Sequence, residues 1–193
     1  MEAAVEALLA GQVAVIPTDT VYGVAVAATV PGATARLFTV KQRPTDVALP
    51  VLCADEASAR SLAGDVPLGA GRLMAACWPG PLTIVVPRRP GLDLDLGGPD
   101  DATVGVRVPD AEIARAIAGR VGPLACTSAN RHGQPTPATA AGAVAALGSG
   151  VVAVVDGGPC TGAPSTVVGW PDGELRIYRE GAISAEEVRE LIA

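Results

Sequence analysis

Short apolar runs that end in glycine, proline or small polar residues alternate with stretches whose apolar residues recur at helical spacing. Runs of the first kind predict buried strands, and stretches of the second kind predict amphipathic helices. The predicted strands are Val13–Ile16, Val24–Ala28, Ala48–Ala54, Leu82–Pro87, Thr103–Val108, Pro123–Thr127, Val151–Val155 and Leu175–Tyr178. The predicted helices are Glu2–Ala10, Ala33–Gln42 and Leu68–Cys77, with four more that begin at the capping residues Asp55, Asp110, Thr139 and Ser184.

Predicted helices and strands interleave from one end of the chain to the other, without a break in composition or an internal repeat. This order predicts an α/β fold in a single domain over residues 1–193. The strands Leu82–Pro87 and Thr103–Val108 are joined by a loop rich in glycine, proline and aspartate, which favours antiparallel pairing in this region. We therefore expect one twisted, mixed sheet with flanking helices.

The formal net charge of −6 argues against a broadly basic nucleic-acid surface, but it leaves room for a local basic pocket. Arginine supplies all the positive side chains except one, Lys41. This bias towards arginine leaves two explanations for the single lysine. Either arginine cannot replace lysine at position 41, or the lysine is there by chance, and the sequence favours neither explanation.

Cysteine spacing and the N-terminal residues limit the class of protein further. Cys53, Cys77, Cys126 and Cys160 form no C-x-x-C pair, and His132 is the single histidine, so we expect no structural zinc site. The first residues include two glutamates and no basic residue, unlike a signal peptide. No apolar run reaches the roughly 20 residues of a membrane span. We therefore expect a cytoplasmic protein without a membrane segment.

Polar side chains gather where predicted strands end, at Thr18–Thr20, Ser128–Asn130 and Ser165–Thr166. Strand ends are common ligand sites in α/β sheets, although Thr18 and Asp19 would equally well bond the backbone of a turn. The chain has no P-loop, dinucleotide-binding or nucleophile-elbow motif. Any catalysis therefore rests on positioning and charge stabilisation rather than on a protein nucleophile.

Four cations lie in or beside apolar elements, and they suit a polyanionic ligand. Lys41 and Arg43 follow a predicted helix, where the helix dipole alone would also favour them. Arg107 lies in an apolar strand, so it either faces water or meets an anion. Together with Arg179, these residues indicate phosphoryl or nucleotidyl transfer.

Seven short motifs occur in one order, and together they are specific although each is weak alone. They closely resemble the YrdC-like family, whose single-domain enzymes are threonylcarbamoyl-AMP synthases of the TsaC type. The resemblance runs from about Gly11 to Ile183. The motifs are PTDTVYG at 17–23, KQRP at 41–44, WPGPLT at 78–83, VRVP at 106–109, TSAN at 127–130, PSTVV at 164–168 and REGAI at 179–183.

The resemblance implies a YrdC-like fold with a concave basic cavity. It also implies a reaction of L-threonine, bicarbonate and ATP that gives L-threonylcarbamoyladenylate and pyrophosphate. Mg²⁺ would arrive with ATP, held mostly by phosphate oxygens, so no protein metal ligand is assigned. Partner proteins would then transfer the threonylcarbamoyl group to adenosine 37 of ANN-decoding tRNAs, which gives N6-threonylcarbamoyladenosine.

The resemblance assigns a role to individual positions. Lys41 and Arg43 would be the catalytic cations that bind the triphosphate. Threonine would be bound by Thr20, Arg107 and Ser165. Asn130 would hold the loop that carries Ser128, and the nucleotide contacts would come from Thr103, Ser128, Asn130, Thr136 and Arg179.

Two positions depart from the pattern of the family. Many relatives have a polar residue at the position of Val47 and a histidine at the position of Leu52. Neither side chain can supply the corresponding hydrogen bond, so threonine is held by fewer contacts or another group substitutes.

Two other functions compete with the synthase. YrdC-like proteins have also been connected with RNA binding and ribosome maturation, and a basic cavity would accept RNA even in an acidic, non-catalytic module. Carbamoyl transfer of the hydrogenase-maturation type would need acylphosphatase and zinc-finger domains, for which we expect no room in this chain. The synthase is the preferred hypothesis.

Overall fold

One sheet of nine strands organises the residues that the computed structural model describes, 1–44, 47–98 and 101–193. Its spatial order is β7-β1-β2-β6-β3-β5-β4-β8-β9, with three parallel and five antiparallel neighbours. The predicted mixed sheet is confirmed. The strands are β1 (Val13–Ile16), β2 (Gly23–Ala27), β3 (Val51–Leu52), β4 (Leu82–Pro87), β5 (Thr103–Arg107), β6 (Leu124–Ser128), β7 (Val151–Val154), β8 (Thr166–Gly169) and β9 (Arg176–Arg179).

Helices pack on both faces of the sheet, because alternate side chains of each strand point to opposite sides. In β1, Val13 and Val15 belong to one apolar cluster, whereas Ala14 and Ile16 belong to the other. None of the described helices combines the length and the apolar character needed to cross a lipid bilayer. The helices are α1 (Glu2–Leu9), α2 (Ala33–Lys41), α3 (Glu56–Leu62), α4 (Leu68–Cys77), α5 (Glu112–Val121), α6 (Ala140–Leu147) and α7 (Ala185–Glu190).

The apolar cluster that contains Ala14 and Ile16 lies beneath α1 and α5, and it continues into the wall of a cavity. Leu52 and Cys126 belong both to this cluster and to the wall. Further along the sheet, Leu52 is paired with Arg107, and Thr83 is paired with Val167. Val167 is in turn paired with Arg179. The face that is apolar beneath α1 and α5 therefore becomes polar and open over β5, β4, β8 and β9.

Several boundaries follow from local sequence and match the structure. Helix α4 and strand β4 have the predicted ends. The Asp55 side chain accepts from the Ser58 backbone N–H at 2.7 Å, and Ser184 and Glu187 form the predicted capping box. Thr139 caps α6, as predicted.

Three local predictions were wrong. Asp110 does not cap α5, because the helix begins later; Ala111 lies at the cap position and Asp110 pairs with Arg115 at 3.3 Å. The strand predicted over Ala48–Ala54 is reduced to Val51–Leu52, since Pro50 has no N–H to donate to a ladder. Strand β7, predicted as buried, lies at the edge of the sheet.

Candidate active site

The cavity has a volume of about 580 Å³ and a mixed lining. Its charged side chains among the described residues are Arg43, Arg107 and Arg179. Apolar wall comes from strands β4 and β8, from Leu52, and from the segment after α2. The hydroxyl groups on the wall belong to Thr18, Thr20, Thr83, Thr103, Thr127, Ser128, Ser165 and Tyr178.

The loop after β1 is a turn held by one threonine. The Thr18 hydroxyl accepts from the backbone N–H groups of Thr20 and Val21, each at 3.2 Å, and donates to the Val21 carbonyl. The expectation that Thr18 bonds the turn backbone is confirmed. Asp19 does not do so, because its carboxylate meets Arg107.

Arg107 is the centre of a buried polar network. Its Nε donates to the Gly80 carbonyl at 3.0 Å, Nη1 to the Thr20 hydroxyl at 3.1 Å and Nη2 to Asp19 Oδ1 at 2.6 Å. Of the two alternatives for this arginine, contact with an anion is confirmed, and the anion is the protein's own carboxylate. Asp19 Oδ2 is also buried and has no hydrogen-bond partner.

A second network joins β4, β8 and β9. The hydroxyls of Thr83 and Ser165 lie 2.9 Å apart, and both residues are buried. Arg179 donates to the Ser165 carbonyl through Nε at 3.1 Å and through Nη2 at 2.7 Å. Burial, and secondarily the positive charge of Arg107, lowers the pKa of Arg179. These contacts fix the Ser165 side chain at the cavity wall.

Lys41 lies behind the wall rather than on it. The side chain is buried, and its ammonium donates to both the carbonyl and the side-chain oxygen of Asn130, each at 3.0 Å, and to the Ser128 carbonyl. Burial, with Arg43 adding like charge, lowers the pKa of Lys41 to about 8. The structure therefore shows Lys41 holding the loop that carries Ser128 and Asn130, and its expected contact with the triphosphate stays a prediction.

Asn130 organises the same loop. Its side-chain oxygen accepts from the Ser128 hydroxyl at 2.6 Å and from the Thr136 hydroxyl at 3.3 Å, while its amide donates to the carbonyls of Arg131 and Gln134. Ser128 lines the cavity, whereas Asn130 and Thr136 do not. Their predicted nucleotide contacts stay predictions, and the geometry places both behind Ser128.

Arg43 and Thr103 both lie on the cavity wall, as do the two departures from the family pattern. Arg43 donates to the Thr127 hydroxyl at 3.4 Å, and its guanidinium lies 5.9 Å from the centre of the Phe38 ring. Val47 is exposed and Leu52 is buried, and both add apolar surface at the two positions that depart from the family pattern.

The buried thiols of Cys53 and Cys126 are expected to be unreactive. Burial raises the pKa of Cys53 and of Cys126 to about 12, so neither is a thiolate near neutral pH. His132 is exposed in its loop. In the part of the chain that the structure describes, no cluster of three histidine, cysteine, aspartate or glutamate side chains is arranged to hold a metal ion.

Sequence reasoning missed two residues of the site. Asp19 was noted among the polar residues after the first strand, with a turn contact as one alternative, but it was given no role in the site. Thr83 was not singled out within WPGPLT. The available signal for Thr83 was its polarity at a position of an apolar strand whose neighbours are buried.

The fold and the cavity together define an α/β protein with a ligand site lined by arginines and hydroxyl groups. The sequence model of the Sua5/YciO/YrdC family, described as "Telomere recombination", matches residues 6–181. The chain belongs to this family.

Sequence relatives carry one recurrent name. A putative threonylcarbamoyl-AMP synthase of Mycobacterium tuberculosis H37Rv is 38% identical over 190 residues, which cover 98% of this chain and 87% of the relative. The threonylcarbamoyl-AMP synthase of Bacillus subtilis is 34% identical over 183 residues, which cover 94% of this chain and 53% of the relative. The chain thus spans about half the length of the second protein.

Solved structures show the same fold. Pyrococcus abyssi Sua5 complexed with L-threonine superposes with a TM-score of 0.91 at 32% identity, over 98% of this chain and 56% of that one. Escherichia coli YciO superposes with a TM-score of 0.83 at 27% identity, over 96% of this chain and 90% of that one. These likenesses support the YrdC-like fold expected from the motifs.

Proposed function

We propose that this protein is a threonylcarbamoyl-AMP synthase, a nucleotidyltransferase that makes L-threonylcarbamoyladenylate and pyrophosphate from L-threonine, bicarbonate and ATP. The observation that carries the proposal is the cavity itself, where Arg43, Arg107 and Arg179 surround a space lined by hydroxyl groups. Family membership and the names of the relatives support the same activity.

The amino acid fits at the network around Arg107. A guanidinium has five N–H donors, and Arg107 makes the three hydrogen bonds described above. Its remaining donors suit the substrate carboxylate. The Ser165 and Thr20 hydroxyls lie on the same wall and would meet the threonine side chain and carboxylate.

The nucleotide fits between Arg43, Ser128, Thr103 and Arg179. Guanidinium groups and hydroxyls neutralise and bond phosphate oxygens, which is the main requirement of nucleotidyl transfer. Lys41 and Asn130 would act one layer behind, by holding Ser128 and its loop. Thr136 would support Asn130 in the same way.

Mg²⁺ would come with ATP as its phosphate complex, and it would reduce the negative charge of the leaving pyrophosphate when bound. The described wall offers hydroxyls and cations, which suit phosphate oxygens better than a bare metal ion. We therefore assign the metal no protein ligand.

The reaction has two steps. The neutral amine of threonine attacks the carbon of carbon dioxide or bicarbonate, and the new C–N bond gives N-carboxythreonine. Carbon dioxide as the source releases a proton from the amine, whereas bicarbonate as the source releases water and no net proton. The new carboxylate then attacks the α-phosphorus of ATP, a P–O bond forms, and the bond to pyrophosphate breaks. Arg43 and Arg179 would stabilise the charge that builds up in the second step.

The product would pass to proteins that transfer the threonylcarbamoyl group to tRNA, and the enzyme would act in the cytoplasm. RNA binding without catalysis remains the second candidate, since the arginine-lined cavity would also attract phosphodiesters. Salt-dependent tRNA affinity without turnover of ATP would favour it.

The decisive experiment measures pyrophosphate release from ATP and Mg²⁺, with threonine and bicarbonate together and with each omitted. We expect release only when both are present. The Arg43→Ala variant should reduce the rate by roughly 10- to 100-fold, since it removes a charge-assisted contact. The matched control Arg120→Ala, on exposed helix surface, should leave the rate unchanged. A folded wild-type protein without release would overturn the proposal.

A further inference from the structure

Strand β9 contains a β-bulge that changes the direction of one side chain. Val168 is paired with Ile177 and Val167 with Arg179, so Tyr178 is the extra residue between the two pairs. Regular alternation would send Tyr178 and Arg179 to opposite faces of the sheet. Because of the bulge, both side chains line the cavity.

Tyr178 differs from the other aromatic residues of the chain. Two of the remaining four, Tyr22 and Phe38, are buried, and the two tryptophans are half-buried. Tyr178 is 48% exposed, and it is the one aromatic residue on the described wall of the cavity. A large apolar ring is thus held open to the cavity interior.

The Tyr178 ring lies next to Gly169 and apolar residues of the neighbouring strands. A β-carbon added to Gly169 would lie 2.8 Å from Tyr178 Cε2 and 3.1 Å from Val85 Cβ. Gly169 therefore leaves the space in which the ring edge lies close to the sheet. Val85 and Val167 continue this apolar surface, and Arg179 flanks it.

We infer that Tyr178 is the stacking platform for the purine base of the nucleotide, with the Val85–Val167 surface beside it. This inference rests on the proposed function. An exposed aromatic face binds a base through its π surface, and neighbouring valines exclude water from the other ring atoms. Arg179, one residue on, then lies where it can contact the ribose or the phosphates.

A purely structural role is the competing explanation, because an aromatic side chain that packs over a glycine of the neighbouring strand also stabilises a sheet edge. The two roles differ in what they affect. Stacking acts on ligands that carry a base, whereas a structural defect lowers stability and affects all ligands of the cavity alike.

The test compares binding of α,β-methylene-ATP with binding of inorganic tripolyphosphate by calorimetry. Tyr178→Ala should weaken binding of the nucleotide analogue by roughly 5- to 100-fold, the range expected for loss of one base–aromatic stack. Its affinity for tripolyphosphate should stay within about twofold of wild type, because the phosphate-binding residues are intact. Tyr178→Phe, which keeps the ring, should bind the analogue like wild type.

Tyr178→Leu keeps a bulky apolar side chain on the strand. It replaces the alanine variant in this test if thermal unfolding shows that the alanine variant does not fold. It too should lose affinity for the analogue alone. Equal losses for both ligands, or no loss in either variant, would overturn the inference. Wild-type protein that binds neither ligand would instead overturn the proposed function, so the two failures are distinguishable.

Discussion

Asp19 Oδ1 lies 2.6 Å from Nη2 of Arg107, and the two side chains are 12% and 6% exposed. The carboxylate compensates the arginine charge in a buried position, which would otherwise be costly. It also leaves the guanidinium fixed in one orientation beside Thr20 and Gly80. The cavity thus has a preorganised cation whose position depends on a residue of the loop after β1.

Loss of the Asp19 charge should destabilise the protein. We expect Asp19→Asn to lower the free energy of unfolding by about 3 kcal/mol, because it leaves a buried guanidinium without a charged partner. Urea unfolding measures the effect. The matched control is Glu2→Gln, which removes the carboxylate of the exposed pair with Arg120 and should change the unfolding midpoint little. Equal stability of Asp19→Asn and wild type would contradict this account.

Removal of the Ser165 hydroxyl should affect amino acid binding more than nucleotide binding. Ser165→Ala is expected to raise KM for threonine by roughly 10-fold, the usual effect of one lost hydrogen bond to a substrate. KM for ATP should stay within about twofold. Steady-state pyrophosphate release measures both constants.

Thr83→Val provides the partner variant, since its hydroxyl contacts Ser165 at 2.9 Å. If Thr83 positions Ser165, the double variant should lose less than the sum of the two single losses. Strict additivity would show that Thr83 has no positioning role.

Lys41 should make stability depend on pH in the alkaline range. Its pKa falls from 10.5 to about 8 on folding, so between these values the unfolded chain holds a proton that the folded chain has lost. Unfolding then takes up a proton, and the free energy of unfolding rises with pH across this window, by about 3 kcal/mol at most. Below pH 8 Lys41 is protonated in both states, so the full cost of burying its charged ammonium lowers the free energy of unfolding.

The measurement is urea unfolding of wild type and Lys41→Met from pH 7 to pH 10.5. Subtracting the variant's curve of unfolding free energy against pH from that of wild type cancels the contribution of the other titrating groups. Wild type should gain stability relative to the variant as pH rises. A constant difference would mean that the oxygens around the ammonium keep the pKa near its ordinary value.

The four cysteines should differ in reactivity. Cys53 and Cys126 are buried with pKa values of about 12, whereas burial raises the pKa of the half-buried Cys77 and Cys160 less. Iodoacetamide at neutral pH should therefore modify Cys77 and Cys160 first, as peptide mass spectrometry would show. All four should react in urea. Early modification of Cys126 in the folded protein would contradict the buried position described here.

Local sequence signals were enough to predict several helices and strands. The ends of α4 and β4 follow from apolar periodicity and flanking prolines, and the capping box at Ser184 from the spacing of two residues. The interleaved order of elements was enough to predict an α/β sheet. The seven motifs also indicated residues that meet at one cavity, including Thr20, Arg107 and Ser165.

Contacts that depend on strand order and register could not be predicted from those local signals. Packing of α2 against the loop after β6 places the Lys41 ammonium next to the carbonyls of Ser128 and Asn130, and no local pattern indicated these contacts. Thr83 and Ser165 meet because β4 and β8 are neighbours. The bulge at Tyr178 depends on pairing with β8. Short sequence patterns predict local hydrogen bonding and burial. These contacts, in contrast, arise from the packing of segments that are distant in sequence.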